Sequence, residues 1–396
     1  MNACCVKAGI PDDVMWGPVK KPEPVMIGEC PVCAGGMEML FKIPQMPQCG
    51  LYEPFHANFN DRGYLDQSFL YCHGCSHGKL GVIVPPAVLY GNGYSATAAS
   101  AGSSSGVNNF AAFIKGRLRI ESFDCVVDIG GNDGSLLEHF PGKRKVSIDP
   151  NASGDAELIR QFIENADLGF LKGIHKLICS SHTLEHVQNP DSVFAKLQGI
   201  VNRDDYCAFQ FPSLDLLVQD GRIDQIYHQH IHYYSLRSTS LLLAKYGFEI
   251  VAHEFDASHY GALMVLFRKG LGEVKGSAID PARILRANAV FRQQALMLNS
   301  RLEDSVGVIG YGASLMLPML KNYIPAIWKL AYVVDEDASK HGQRYINLNL
   351  EIRPIHDMAG KSVMVTAFNT KMAVRQIVAK LLAQNARDVI VPFNFL

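Results

Sequence analysis

The sequence predicts an α/β protein in three segments, and three observations carry that prediction. Short apolar runs alternate with helical stretches from about residue 123 onward and again after residue 305, the pattern of parallel sheets covered on both faces. Ahead of them, residues 20–95 are rich in Pro, Gly, Cys and aromatics, with little helical periodicity. At 396 residues the chain is also too long for one core. The segments are placed at 1–106, 107–270 and 271–396.

Taken in order, the first segment ends in SATAASAGSSSG, residues 95–106, small and polar enough for a linker or mobile loop. In the second, residues 125–130, 145–149, 175–180 and 206–211 read as short buried strands. Helical stretches such as 191–201 and 238–247 separate them, which makes an open α/β domain. A long amphipathic stretch, 281–305, leads into the third segment, with strands expected at 306–310, 330–335, 362–367 and 388–393.

Composition excludes several function classes. A net charge of −1 with no block of like charges argues against a nucleic-acid groove or a membrane-surface patch. No run reaches the roughly 18 apolar residues of a membrane span. The N-terminal stretch has neither a basic region nor a long apolar one, so a cytoplasmic protein is expected. Ten cysteines in a chain of this length do not make a disulfide scaffold; most should be reduced and some should be ligands. A small-molecule partner and a monomer are the expectations.

Two CxxC pairs are the strongest local signal. Cys30 and Cys33, with Cys72 and Cys75, can complete a tetrahedral S4 shell around zinc, each pair gripping through two thiolates. A redox dithiol would need a βαβ context that this segment lacks. Cys49, His73 and His77 are substitute ligands of lower rank. A full S4 shell leaves no position for water, so the site reads as structural, replacing the core that so short a segment cannot build.

Residues 126–140, VVDIGGNDGSLLEHF, read as strand, glycine-rich turn and helix start. Gly130, Gly131 and Gly134, with Asp128 and Asn132, let the backbone approach a ligand beside a helix N-terminus. Asp149 ends the next strand, where a carboxylate can grip two ribose hydroxyls. This arrangement resembles the class I methyltransferases that use S-adenosylmethionine. In them the fourth strand ends in a polar motif beside the cofactor, which SSHTLEHV resembles through Ser181, His182 and His186.

Residues 211–236 crowd Tyr227, His228, Gln229, His230, His232, Tyr233 and Tyr234 into eight positions. An imidazole with a pKa near 6.5 is a suitable base at neutral pH. With CPVC and CHGC, LYGNGYSA (89–96), DIGGNDGSLL (128–137), LEHV (184–187), IDQIYHQH (223–230) and SHYGAL (258–263), the chain resembles the zinc-containing sugar C-methyltransferases over nearly its whole length. The C-terminal GYGASLMLPMLKNY and YVVDEDASKHGQRY extend the match. The resemblance implies an N-terminal zinc domain, a central Rossmann-like methyltransferase domain and a second Rossmann-like domain over the substrate cleft. It implies deprotonation and methylation of C3 in a nucleotide-linked 4-keto-deoxysugar. His230 would be the base, Tyr227 its partner, and His186 and Tyr94 would line the sugar site.

The chain departs from that family twice, both times beside the expected sugar. Gln229 stands where the family has an acid, and His259-Tyr260-Gly261-Ala262 stands for HGGS. Both changes would also fit a different sugar, a different carbon or a non-sugar acceptor with an acidic C–H, and two rival readings remain. VGVIGYGA (306–313) with Asp335 imitates a nicotinamide-binding turn, which would make this an NAD-dependent oxidoreductase, although Leu315 replaces the third glycine. A binding protein without catalysis is the other.

Overall fold

The structure is a computed structural model that describes residues 28–85, 89, 101–257, 259, 261–367 and 371–393. The N-terminal strands are β1 (Glu38–Pro47), β2 (Tyr52–Pro54), β3 (Tyr64–Cys72) and β4 (His77–Leu80). The central ones are β5 (Cys125–Ile129), β6 (Arg144–Ile148), β7 (Glu157–Ile159), β8 (Lys176–Ser181), β9 (Tyr206–Pro212), β10 (His232–Tyr233), β11 (Phe248–Asp256) and β12 (Ala262–Lys269). Last come β13 (Ile309–Tyr311), β14 (Val333–Asp335), β15 (Gln343–Tyr345), β16 (Ile352–Pro354), β17 (Ser362–Val365) and β18 (Asp388–Ile390).

The central sheet runs β11-β12-β9-β8-β5-β6-β7. Its five strands from β9 to β7 are parallel, and β12 and β11 continue it antiparallel. Strand β5, Cys-Val-Val-Asp-Ile, is buried at every position, as a central parallel strand must be. The helix Pro190–Ile200 covers one face with Val193, Phe194, Leu197 and Ile200; Pro190 opens it and the Asn189 side chain accepts from Asp191 N. Strand order reverses on either side of β5, so a crevice opens at its carboxyl end.

The C-terminal sheet, β16-β14-β13-β17-β18, is parallel throughout and reverses order at β13 in the same way. Helix Pro281–Glu303 joins the two sheets. Asp280 caps it, and Ile284, Phe291, Ala295, Leu298 and Leu302 form its buried stripe.

The N-terminal segment is tied to both neighbours. Its sheet, β1-β3-β4-β10, takes its last strand from the histidine-rich stretch, with Tyr233 opposite Gly78. Strand β2 pairs with β15, and Arg344 Nε donates to Glu53 Oε1 at 2.9 Å.

The expected linker needs correction. Residues 101–106 begin the helix Ala101–Lys115, while 95–100 lie outside the described residues. The small residues serve close packing: a Cβ on Gly106 would stand 2.0 Å from His259 Nδ1. Val107, Phe110, Ala111 and Ile114 then bury the helix's inner face. The helix therefore runs across position 106.

Candidate active site

A cleft of about 620 Å³ lies where the carboxyl ends of β5 and β13 face each other. On the central side the chain leaves β5 through Gly130, whose φ of +79° suits glycine and whose added Cβ would lie 1.8 Å from Thr183 Oγ1. At Gly131 a Cβ would lie 2.3 Å from Ser147 Oγ. Asp128, Gly130, Gly131, Asn132 and Asp149 all line the cleft; Gly134 stands behind them, at the cap of the short helix Ser135–Glu138. Asp128 is buried with no partner for Oδ1, and burial, with Asp149 and Asp133 nearby, pushes its carboxyl up to about 8. Asp149 accepts from Asn151 N at 2.7 Å, and burial also raises its carboxyl.

At the end of β8, Ser181 Oγ accepts from Gln210 Nε2 at 2.8 Å. His182 adopts φ +52°, a left-handed conformation costly for a side chain of this size and common at functional sites. Its ring lies between Glu185 Oε1, 3.2 Å from Nδ1, and His259 Nδ1, 3.1 Å from Nε2. His186 donates from Nδ1 to the Gln229 carbonyl at 2.6 Å, which turns Nε2 toward Glu185 at 3.8 Å. Tyr227 and His230 share a hydrogen bond of 2.8 Å between the phenol and Nε2. Burial, then His186 and His182, push the His230 imidazole well below its ordinary range, so it is neutral at neutral pH.

Sequence-chosen Ser181, His182, His186, Tyr227 and His230 thus meet the glycine turn in one cleft. Tyr94 and Tyr260 lie outside the described residues. Gln229 corrects an expectation: its side chain does not line the cleft but points away, with Nε2 3.5 Å from the Cys49 carbonyl. Backbone pairing decides this, because the Gln229 carbonyl is the atom that holds His186. Glu185 and His259 also line the cleft, and neither was given a role from sequence. The signal for Glu185 was present: a carboxylate between two imidazoles immediately after a strand end.

Across the cleft stand Tyr311, Gly312, Ala313, Asp335, Lys340 and Lys380. Asp335, the acid that a nicotinamide cofactor's ribose would need, already accepts from Ala313 N at 2.5 Å and Asp337 N at 2.8 Å. Lys340 Nζ lies 3.8 Å from it. Asp335 is thus already engaged, which weakens the oxidoreductase reading, although Ser314 Oγ in the same turn is buried without a partner.

Away from the cleft, Cys30, Cys33, Cys72 and Cys75 bring four sulfurs within 4.8 Å of one another. Cys30–Cys75 and Cys33–Cys72 are each 3.5 Å apart. The hydrogen bond with Cys75 pushes the Cys30 thiol down to about 5 and the Cys75 thiol up. The substitute ligands are engaged elsewhere: His73 with Glu38, His77 with His232, and Cys49 with the Pro47 carbonyl.

Comparison with known proteins bears on the central segment. The family model described as a methyltransferase domain matches residues 106–253. C-methyltransferase NovU of Streptomyces niveus is 28% identical over 210 residues, 49% of this chain and 49% of NovU. The chain therefore spans about half the length of the curated relative it matches. Among solved structures, the magnesium protoporphyrin IX methyltransferase of Synechocystis PCC 6803 with bound S-adenosylmethionine aligns at TM-score 0.33 and 10% identity, over 43% of this chain and 80% of that one. Mitomycin 7-O-methyltransferase MmcR aligns at 0.34 and 16%, over 42% and 54%. Residues 106–253 are a methyltransferase domain.

Proposed function

We propose that this chain is an S-adenosylmethionine-dependent C-methyltransferase that removes a proton from a carbon next to a ketone, C3 of a nucleotide-linked 4-keto-deoxysugar, and methylates that carbon. The observation that carries this reading is one cleft lined both by the glycine turn with Asp149 and by the Tyr227–His230 pair. The identity with a C-methyltransferase supports the type of transfer.

The turn fits the cofactor. Gly130 and Gly131 let the turn pack onto Thr183 and Ser147, where any Cβ would clash, and Asp128 Oδ1 at the turn's start is a buried acceptor without a donor. Asp149 would take the ribose hydroxyls, while Asp128 and the backbone of 130–132 would face the amino-acid end. When bound, S-adenosylmethionine supplies an electrophilic methyl group. The ketone acidifies the adjacent C–H, and neutral His230 is the base that accepts the proton. Tyr227 orients the ring through its 2.8 Å hydrogen bond, and His186, fixed by the Gln229 carbonyl, presents Nε2 toward the acceptor. Holding the acceptor carbon in line supplies much of the rate, and hydrogen bonds to the enolate oxygen supply more.

The four cysteines hold one structural zinc ion in this reading. A Zn–S bond of about 2.3 Å implies sulfur–sulfur edges of about 3.8 Å, close to the spacing found. Metal analysis after dialysis should find about one zinc per chain, lost in Cys72→Ser. Metal-free protein with an unchanged melting temperature would remove the assignment.

The test of the reaction is mass spectrometry of a panel of nucleotide 4-keto-deoxysugars incubated with the protein and S-adenosylmethionine in deuterated water. A product heavier by one methyl, or deuterium beside the ketone, is the expected result. No change across the panel, with the cofactor bound, would move the acceptor away from keto-sugars. In His230→Asn, turnover should fall by roughly 100-fold or more with cofactor affinity nearly intact. Lost cofactor binding in that variant would defeat the base assignment.

A further inference from the structure

One acid in the cleft has no task in the chemistry above. Glu185 lies in the single turn Leu184–His186, is 1% exposed and lines the cleft. Its Oε1 is 3.2 Å from His182 Nδ1 and 3.8 Å from His186 Nε2. Glu185, His186 and His230 each offer an atom within 4.8 Å of the other two. Its second oxygen, Oε2, is buried without a hydrogen-bond partner. Among the described residues its ion-pair partners are imidazoles alone.

A buried carboxyl oxygen without a donor calls for a proton or a cation. The groups that face Glu185 supply no fixed positive charge. They are His182, His186 and His230 around the cleft, and the phenols of Tyr233 and Tyr234 from the strand behind. Burial pushes His182 down to about 4 and His230 well below its ordinary range, and pushes both phenols up, so these four are neutral at neutral pH. Burial also raises the Glu185 carboxyl to about 7, which leaves it able to change charge under working conditions. Gln229 adds no charge and is turned away.

We propose that Glu185 is the proton-linked counter-charge of the cofactor: protonated in the empty cleft, it gives up its proton as the sulfonium cation enters, so that anion and cation are buried as a pair. The proposal rests on the methyltransferase reading, which provides the cation. The same carboxylate is then the resting place for the substrate proton. The C–H bond breaks with its electron pair left on the acceptor as an enolate, and the proton passes through His230 to Glu185. The enolate's charge replaces the carboxylate's, and the net charge beside the bound cation does not change. Glu185 acts here as a positioning residue for charge, through His230.

Isothermal titration of S-adenosylmethionine into the full chain at pH 7, in buffers of different ionisation heat, counts the protons released. Wild type should release about half a proton more per cofactor than Glu185→Gln, since a carboxyl near pKa 7 is about half protonated there. S-adenosylhomocysteine, which lacks the sulfonium charge, should show no such difference, and Glu185→Asp should restore release. Equal release in wild type and Glu185→Gln overturns this proposal while leaving the methyltransferase reading intact. No cofactor binding by wild type overturns that reading, and this one with it. Should Glu185→Gln fail to fold, Glu185→Asp decides: release must persist with its maximum moved in pH, and an unmoved maximum overturns the proposal.

Discussion

The two glycine turns that face each other across the cleft have nearly the same local plan, and differ in the buried carboxyl group, Asp128, that opens the central one. Each leaves the strand where sheet order reverses, and each has an acid at the end of the neighbouring strand, Asp149 in one and Asp335 in the other. Asp335 is held by two backbone amides of its own turn and approached by Lys340. On the central side Asp149 is likewise engaged, by Asn151 N and the Asn132 backbone, but Asp128 Oδ1 is a buried acceptor without a donor; Ser147 Oγ there and Ser314 Oγ on the other side are both buried without partners. The central turn therefore offers a ligand a buried carboxyl group to complete, Asp128, whereas the strand-end acids of both turns already hold their own backbone.

The largest effect that separates the two sides is acid lability. His77, His182, His228, His230, His232 and His259, in the cleft or against the N-terminal sheet, are pushed below their ordinary range by burial, His182 and His228 to about 4 and His232 to about 3. Each stays neutral when folded but gains a proton when unfolded below about pH 6.5, so stability present above that pH is lost as pH falls toward 4. Asp128 and Glu185 act in the opposite sense, with stability present at low pH and lost as pH rises through about 7 to 8. Six histidines outweigh two acids. Cofactor-free protein should lose on the order of 4 kcal/mol per pH unit between pH 6.5 and 5. The two histidines beyond residue 270, His341 and His356, are not buried. Hydrogen exchange should therefore show the cleft loops and the N-terminal sheet opening before the C-terminal sheet. Uniform opening, or flat stability over that range, would break the comparison.

Next in size is the backbone of the turns themselves. Alanine at Gly130 must hold φ +79° with its Cβ on Thr183, and cofactor affinity should fall roughly 100-fold. Alanine at Gly312 meets a similar obstacle, with φ +98° and a Cβ 2.4 Å from that of Ala367. There the cost should appear as roughly 1–3 kcal/mol of stability, with cofactor affinity unchanged. Calorimetric binding and thermal melts on both variants give the two numbers. Equal affinity losses would mean that both turns touch the cofactor.

How much of this was legible in sequence follows the range of the forces involved. Strands β5, β6, β8 and β9 lie where continuous apolar runs placed them, because burial on both faces writes itself into each run. Strand β10 is two residues long and exists through its pairing with β4, and β11, at the sheet edge beside a single partner, β12, buries only Phe248, Ile250 and Asp256 of its nine residues. Neither leaves a local signature. The small-residue run before Val107 read as a linker, since nothing in it announces that Gly106 must accommodate His259 from 153 positions away. In the cleft, the glycine turn and Asp149 were readable because they are consecutive with their strands. The direction of Gln229 was not, being set by Cys49 from a |i−j| of 180, nor was the position of Glu185 against His230.

The smallest expected effect is the sharpest check on the two acids. Asp149→Ala removes a carboxylate that, on this reading, holds two ribose hydroxyls, and cofactor affinity should weaken roughly tenfold, the scale of one charge-assisted hydrogen bond. Asp335→Ala should leave that affinity within about twofold, because its oxygens serve Ala313 N and Asp337 N rather than a ligand. The loss there falls on the turn, at about 1 kcal/mol for each amide left unpaired. Both variants keep their glycines, so neither disturbs the backbone path that the alanine pair tests. If Asp335→Ala weakened cofactor binding as much as Asp149→Ala, the C-terminal turn would be a ligand site after all. If Asp149→Ala had no effect, Asp128 would be the acid that holds the cofactor, and the grip would lie on β5 instead of β6.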